Sequence, residues 1–474
     1  MKKTVTILLV ILIAGAIGLS VWGRDEPLSA EAVQLLKQPT VRDDENAYFS
    51  LLGFRAPADK NPADVGRQIF THVQARQDSS TSPKAEIDGS LFKQLAGGDE
   101  LRFSENVLST CDKDRSGPVA CIVRNRAQIE KILDKNKVML ERYITLLRHS
   151  KFTDPEPALV LLRFTDLQRA KFALWAKAVL LIEDTQGTQG LELLGQDTRF
   201  WRMLSEQSNT LLVRMIAVTM LRKQYDLLSQ IVAYFPSMIA IEKDKLLRLC
   251  APFSEQELNF TRAVAGELQI TALALETLSK PIQPEKTTSA KAANWSLEHP
   301  IWRKTPLYRP NATLNLQAKL LNQWAAFSRL PAPRLAKESA SFTKTLESEY
   351  KSANMPIYNR IGRELVAAWY ADLSSYFMKV HDLDGLIRLV NLQIQIVAFK
   401  LPDERIGPFL QTSDAALTNP YSGEAMLWDA KERTLSFKAR GGEEGAEVAV
   451  MLGAPTSQVN VAKQIGKGSA THSF

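Results

Sequence analysis

Histidine and cysteine are scarce in this chain. Its 474 residues hold five histidines, His72, His149, His299, His381 and His472, and three cysteines, Cys111, Cys121 and Cys250. No histidine stands beside another histidine or a cysteine at ligand spacing, so the sequence offers no local zinc site. His-Glu-x-x-His, Gly-x-Ser-x-Gly and phosphate-cradling glycine patterns are missing too. Their absence removes the zincin, nucleophile-elbow and P-loop classes. Lys and Arg give a formal net charge of +7 but never form a run, so no nucleic-acid stripe is visible. No fixed repeat period recurs either. The sequence therefore calls for no metal, no cofactor and no nucleic-acid partner. What remains is ordinary globular composition, 45% hydrophobic and 23% charged. That length suits about two or three domains.

The chain opens MKKTVTILLVILIAGAIGLSVWGRDEP. Lys2 and Lys3 precede an apolar run from Thr4 to Gly23, about 20 residues, enough to span a bilayer. A cleaved leader has a shorter apolar region and a small-x-small site. Here no Ala-x-Ala precedes Arg24-Asp25-Glu26, and Trp22 stands where an interfacial aromatic anchors a helix. Residues 1–23 read as a retained signal anchor, with cleavage as the alternative. Lys2 and Lys3 keep the short side in the cytoplasm. The expected location is the bacterial inner membrane, single-pass, with the rest of the chain in the periplasm and an envelope protein as partner. In that oxidising compartment Cys111 and Cys121, around a polar loop, are expected to pair. Cys250, in an apolar helix end, is expected to be a buried free thiol.

Helical periodicity dominates the remainder. Residues 24–121 read as an N-terminal helical segment with a loop, and 122–280 as a helical domain. Polar, proline-containing 281–296 reads as a linker, 297–410 as a second helical domain. Within these, Arg124–His149 reads as one long helical tract. Thr165-x-x-Gln168 and Ser254-x-x-Glu257 have the form of capping boxes, and Asn311 that of a helix cap. His381-Asp382-Leu383-Asp384-Gly385 reads as a polar hinge between helices. Alternating, β-rich segments then predict a small antiparallel sheet within 411–453, followed by a flexible tail at 454–474. The fold class is mainly α: an N-terminal transmembrane helix, tandem antiparallel helices in a bundle or irregular α-solenoid, and a small C-terminal antiparallel β-sheet.

Candidate chemistry is thin. Ser-x-x-Lys occurs at Ser90–Lys93 and Ser341–Lys344, without the Lys-Thr-Gly that penicillin-binding enzymes also need. Glu338 faintly echoes the catalytic glutamate of lytic transglycosylases. His381, with Asp382 and Asp384, is a compact group that could hold a general base. Asp429, Glu432, Glu443 and Glu444 are interleaved with basic residues and read as a solvated face rather than a calcium site.

The C-terminal run Asn419-Pro420-Tyr421-Ser422-Gly423, continuing to Trp428, resembles a box, Asp-Pro-Phe/Tyr-Thr/Ser-Gly-x-x-Leu-x-Tyr. That box lies near the C-terminus of many uncharacterised bacterial envelope proteins with one N-terminal anchor. Asn419 replaces the usual Asp and Trp428 the usual Tyr. The resemblance implies the anchor-plus-helices layout and no activity. Read on its own, Asn-Pro followed by Ser-Gly is turn chemistry, with Tyr421 and Trp428 packing the sheet onto the preceding helix. Two functions remain: a non-enzymatic, membrane-tethered interaction or scaffold protein, or a peptidoglycan-directed hydrolase whose residues come from distant positions.

Overall fold

The computed structural model describes residues 24–37, 42, 45–79, 89–103, 111, 116–155, 162–279, 307–350, 356–442 and 445–453. The proposed anchor with Lys2, Lys3 and Trp22, the 281–296 segment, the 454–474 tail, and Glu443 and Glu444 lie outside them. Among the described residues no helix is long and apolar enough to cross a membrane.

The architecture is mainly helical, with a small three-stranded sheet at the C-terminal end. Helices α1 (Ala30–Leu36), α2 (Ala47–Leu52), α3 (Pro62–Ser79) and α4 (Gly89–Ala96) come first. Helices α5 (Pro118–Arg124), α6 (Arg126–Lys135) and α7 (Lys137–Leu146) follow. The longer α8 (Phe164–Glu183), α9 (Gly187–Gln207), α10 (Leu211–Tyr234) and α11 (Pro236–Leu249) come next, then α12 (Glu255–Leu258) and α13 (Thr261–Ser279). The second half holds α14 (Pro310–Ser328), α15 (Ala332–Tyr350), α16 (Arg360–Trp369), α17 (Ser374–Ala398) and α18 (Asp403–Gln411). Strands β1 (Leu427–Asp429), β2 (Thr434–Lys438) and β3 (Glu447–Met451) close the order, β2 central and antiparallel to both neighbours.

Several local signals behave as their chemistry requires. Ser254 and Glu257 form a reciprocal capping box at α12. Asn61 accepts from Ala63 N (2.8 Å) as α3 begins. On β2, Leu435 and Phe437 are buried opposite Val450 and Val448 of β3, whose own pattern alternates inward and outward.

Four local expectations need correction. The 124–149 tract is broken at Asn136, whose side chain donates back to Ile132 O (2.8 Å), as asparagine favours at a helix end. Thr165 caps nothing: α8 starts at Phe164 with Arg163 as its N-cap, and first-turn Asp166 pairs with Arg55 (3.4 Å) and Arg169 (3.3 Å) instead. Asn311 lies inside α14, behind Pro310 at its first position. The His381–Gly385 hinge is no hinge, because it sits in the middle of the 25-residue helix α17. Burial explains that last case. Helix α17 is buried nearly all round, and Asp382, Asp384, Asn391 and the Gln393 amide group find hydrogen-bond partners inside the molecule.

The core is contiguous. Helix α13 packs on α14, α1 packs on both, and α10 and α11 pack on α17, which also carries the sheet. Sheet and helix approach closely at Gly385, where an added Cβ would lie 2.2 Å from the Phe437 ring. Only glycine fits under that ring.

Candidate functional site

Two buried polar centres stand out, and the sequence-level candidates fall in one of them or on the surface. Glu338 is on the surface. It faces solvent on α15 and bridges Arg334 one turn away at 2.9 Å. Ser341 donates to the Glu338 carbonyl (2.9 Å), and both it and Lys344 are exposed. Ser90 and Lys93 are exposed on α4. Asp429 accepts from Lys431 N (2.8 Å) and Glu432 N (3.0 Å), which is turn chemistry after β1. Among the described residues no group of three metal-ligating side chains converges.

The first centre is built on α17. Asp382 is 3% exposed and collects three donors. Tyr421 OH reaches one oxygen at 2.7 Å, Arg440 N the same oxygen at 3.0 Å, and Gly441 N the other at 2.7 Å. Tyr421 is delivered by the box itself. Asn419 Oδ1 accepts from Tyr421 N (2.9 Å), Asn419 O accepts from Gly423 N (2.9 Å), and Gly423 takes φ 71°. The turn read in Asn419, Pro420, Tyr421 and Gly423 is therefore the structure that plugs a phenol into α17. Burial and the Asp382 carboxylate push the Tyr421 hydroxyl well above its usual range.

Two residues along, Asp384 accepts from Phe253 N (2.7 Å) and from Arg388 (2.8 Å), and Arg388 donates on to Thr418 O (2.9 Å). Burial raises the Asp384 pKa. Asn391 donates to Cys250 O (2.9 Å), and Gln393 to Ser229 O (3.1 Å) and Met451 O (2.7 Å). His381 lies among these groups, its ring edge-on to Tyr421 at 6.4 Å. Burial first, then the Arg388 and Arg214 charges, lowers its pKa to about 4. A buried neutral imidazole of that basicity is a poor general base near neutrality.

The second centre lies between α7, α8, α9 and α10, and sequence reasoning missed it. Lys171 and Asp197 are wholly buried and paired. Lys171 also donates to Gln224 Oε1 (2.6 Å) and lies over the Trp175 and Trp201 rings at 4.9 and 5.1 Å. Asp197 accepts in addition from Tyr143 OH (2.5 Å), Trp175 Nε1 (3.0 Å) and Trp201 Nε1 (3.1 Å). Gln224 passes its own protons to Leu194 O (2.9 Å) and the Thr198 hydroxyl (2.8 Å). Burial lowers the Lys171 pKa to about 8 against the pull of Asp197. The available signal was charge inside an apolar helical period: Lys171 and Asp197 both fall on buried faces of their helices.

Among the described residues, the best-formed cavity borders neither centre. The cavity lined by Leu51, Leu52, Phe54, Arg55, Phe92, Arg163 and Asp166 encloses about 20 Å³, room for a single water. Elsewhere, Cys111 and Cys121 are joined by a disulfide with Cα atoms 5.6 Å apart. Cys250 is a buried free thiol, its pKa raised by burial to about 12, which makes it inert. No protein-family description, curated protein or solved structure matches this chain.

Proposed function

We propose that this is a membrane-tethered envelope protein that presents a tandem-helix surface to other envelope proteins and carries out no chemistry of its own. In this reading residues 1–23 stay as a single-pass anchor in the bacterial inner membrane, and everything after them is periplasmic. One observation carries the reading. The backbone directly after the apolar run is clamped to the start of α14. Asp25 accepts from Asn311 N (2.8 Å) and Ala312 N (3.1 Å), a carboxylate on a helix N-terminus. Asn311 donates to Glu26 O (2.9 Å), and Asn315 to the Glu26 carboxylate (2.8 Å) and Pro27 O (2.9 Å). Ser29 N then donates to Asn315 Oδ1 (2.7 Å).

An anchor leaving through such a clamp holds the helical body at a set place on the membrane. That suits a scaffold, whose work is to present a surface, and helical arrays offer extended ones. Crosslinking in intact cells, followed by mass spectrometry of the adducts, tests it. One dominant envelope partner is expected. Recovery of the protein alone on cell-wall material would overturn the scaffold reading in favour of the hydrolase. An alkaline-phosphatase fusion after Gly23 checks the topology separately: activity is expected, and an inactive fusion sinks it.

A further inference from the structure

The Lys171–Asp197 pair differs from other lysine ion pairs of the chain in its surroundings. The side chains of Lys60, Lys137, Lys245 and Lys319 stay between 40% and 74% exposed beside their carboxylates. Lys171 and Asp197 are both 0% exposed and hydrogen-bonded to each other across α8 and α9. Bulk water reaches neither group. It can neither hold the amine as a solvated ammonium nor hydrolyse a bond formed there. The burial that lowers the Lys171 pKa to about 8 brings a neutral amine within reach near neutrality.

The remaining contacts of the pair match what an amide between the two side chains needs. Asp197 Oδ1 already accepts from Tyr143 OH (2.5 Å) and Trp201 Nε1 (3.1 Å), two donors for an amide oxygen. Lys171 Nζ already donates to Gln224 Oε1 (2.6 Å), an acceptor for an amide N–H. Gln224 is itself held by Leu194 O and the Thr198 hydroxyl, which fixes that acceptor in place. Two groups held in contact by packed surroundings react as if at very high concentration. The donors on Oδ1 also face the oxygen that gathers charge when the carboxyl carbon is attacked.

We propose that Lys171 and Asp197 condense into an intramolecular amide that staples α8 to α9, with the ion pair as its precursor. The step balances without an oxidant or a co-reactant. The ammonium first passes one proton to Oδ2, leaving a neutral amine and a neutral acid. The Nζ lone pair then forms the bond to Cγ, and the carbonyl electrons move onto Oδ1, beside Tyr143 and Trp201. A second proton goes from Nζ to Oδ2, the Cγ–Oδ2 bond breaks with its electron pair, and one water leaves. Nζ keeps its third proton as the amide N–H. The bond is made once, inside the chain, with no substrate and no turnover. It suits a protein that acts on nothing else, and it does not depend on the anchor or on a partner.

Intact mass spectrometry of the full chain, purified and reduced, tests this, with the double variant Lys171→Met, Asp197→Leu as reference. The mass is read on denatured protein, so a variant that fails to fold still serves. Wild type is expected to be lighter by one water than the sequence from its own N-terminus, and the variant to match its sequence. Trypsin does not cut after an acylated lysine, so digestion should yield residues 170–177 joined to 178–199. That branched product has two N-terminal amines, which tells it from the linear peptide of equal mass. Wild type at its full sequence mass overturns the proposal and leaves a permanent ion pair. A missing water with ordinary cleavage after Lys171 puts the loss elsewhere in the chain, which overturns it too. A missing ammonia, with the branch at Gln224, makes the amide and not the carboxylate the acceptor, and the proposal falls.

Discussion

The two buried polar centres solve the same problem in opposite ways. Between α7 and α10, Lys171 and Asp197 neutralise each other, and the surrounding phenol, indoles and amide are almost all side chains. On α17 the polar side chains reach mainly for backbone, and that backbone comes from far away: Ser229, Cys250 and Phe253 on one side, Thr418, Arg440, Gly441 and Met451 on the other. A side-chain network fixes the register of the helices that carry it. A side-chain-to-backbone network fixes loops and turns, which have no ladder of their own to satisfy their groups. The first centre therefore organises one group of helices, and the second ties the first half of the chain to the C-terminal sheet.

Removing one member of the charged pair should give the largest effect. Asp197→Ala leaves a buried ammonium without its counter-charge and strips an acceptor from two indoles and a phenol. A loss of about 3–5 kcal/mol is expected in urea unfolding. Replacing both partners, Lys171→Met with Asp197→Leu, should recover only the part owed to the unpaired charge, because the phenol and the two indoles still lack the Asp197 acceptor. A single mutant no weaker than a surface variant would show that the pair is not formed as described.

His381 offers a second test, on the α17 side. Its pKa falls from 6.5 in an open chain to about 4 in the fold. Between those values the unfolded chain binds the proton and the folded one does not, so stability falls as pH drops through this window and the loss is complete below about 4. The full effect is roughly 3 kcal/mol. Asp384, raised by burial, works with the opposite sign and offsets part of it. The difference between wild type and His381→Gln isolates the histidine: the variant should lose less stability between pH 7 and 4. Parallel curves would place the ring in a wetter setting than the structure does.

Asp382→Ala should cost about 2–3 kcal/mol, since it leaves the Arg440 and Gly441 amides without an acceptor, while Tyr421 OH keeps Met378 O at 3.0 Å. The loss is local: amide exchange at Arg440 and Gly441 should speed up before that of α8 or α9. Tyr421→Phe removes one of the three bonds, and about 1 kcal/mol is expected. If exchange accelerates across all the helices together, the α17 centre is not the tie between sheet and helices that its hydrogen bonds describe.

Local chemistry was legible in part, since the Thr165 box and the break at Asn136 were misread, and distance was not legible at all. The Ser254 capping box, the strand alternation and the Asn419–Gly423 turn all depend on neighbours within a few residues. His381–Gly385 misled because a polar cluster usually marks a break. It stays helical only because Phe253, Thr418, Tyr421, Arg440 and Gly441 arrive from elsewhere to meet it. The same holds at α14, where the cap expected of Asn311 is supplied by Asp25, 286 residues earlier. Lys171 and Asp197 each fall within an apolar helical period, but their pairing is seen only when α8 and α9 are laid together.

The smallest expected effect discriminates between the two functional readings most cleanly. Glu338 lies outside both centres, on an exposed helix, in an ion pair with Arg334 whose partners are 39% and 61% exposed. Such a pair contributes at most about 0.5 kcal/mol. Glu338→Gln should therefore leave the unfolding midpoint unchanged and leave the pattern of crosslinked partners intact. A catalytic glutamate would behave differently: stability would still be untouched, but any activity on cell-wall glycan would vanish. Stability and partners both unchanged, with no glycan activity to lose, is the outcome a scaffold requires. An activity abolished by that single oxygen-to-nitrogen change would restore the hydrolase, at a site the exposed face of α15 must then form with a partner.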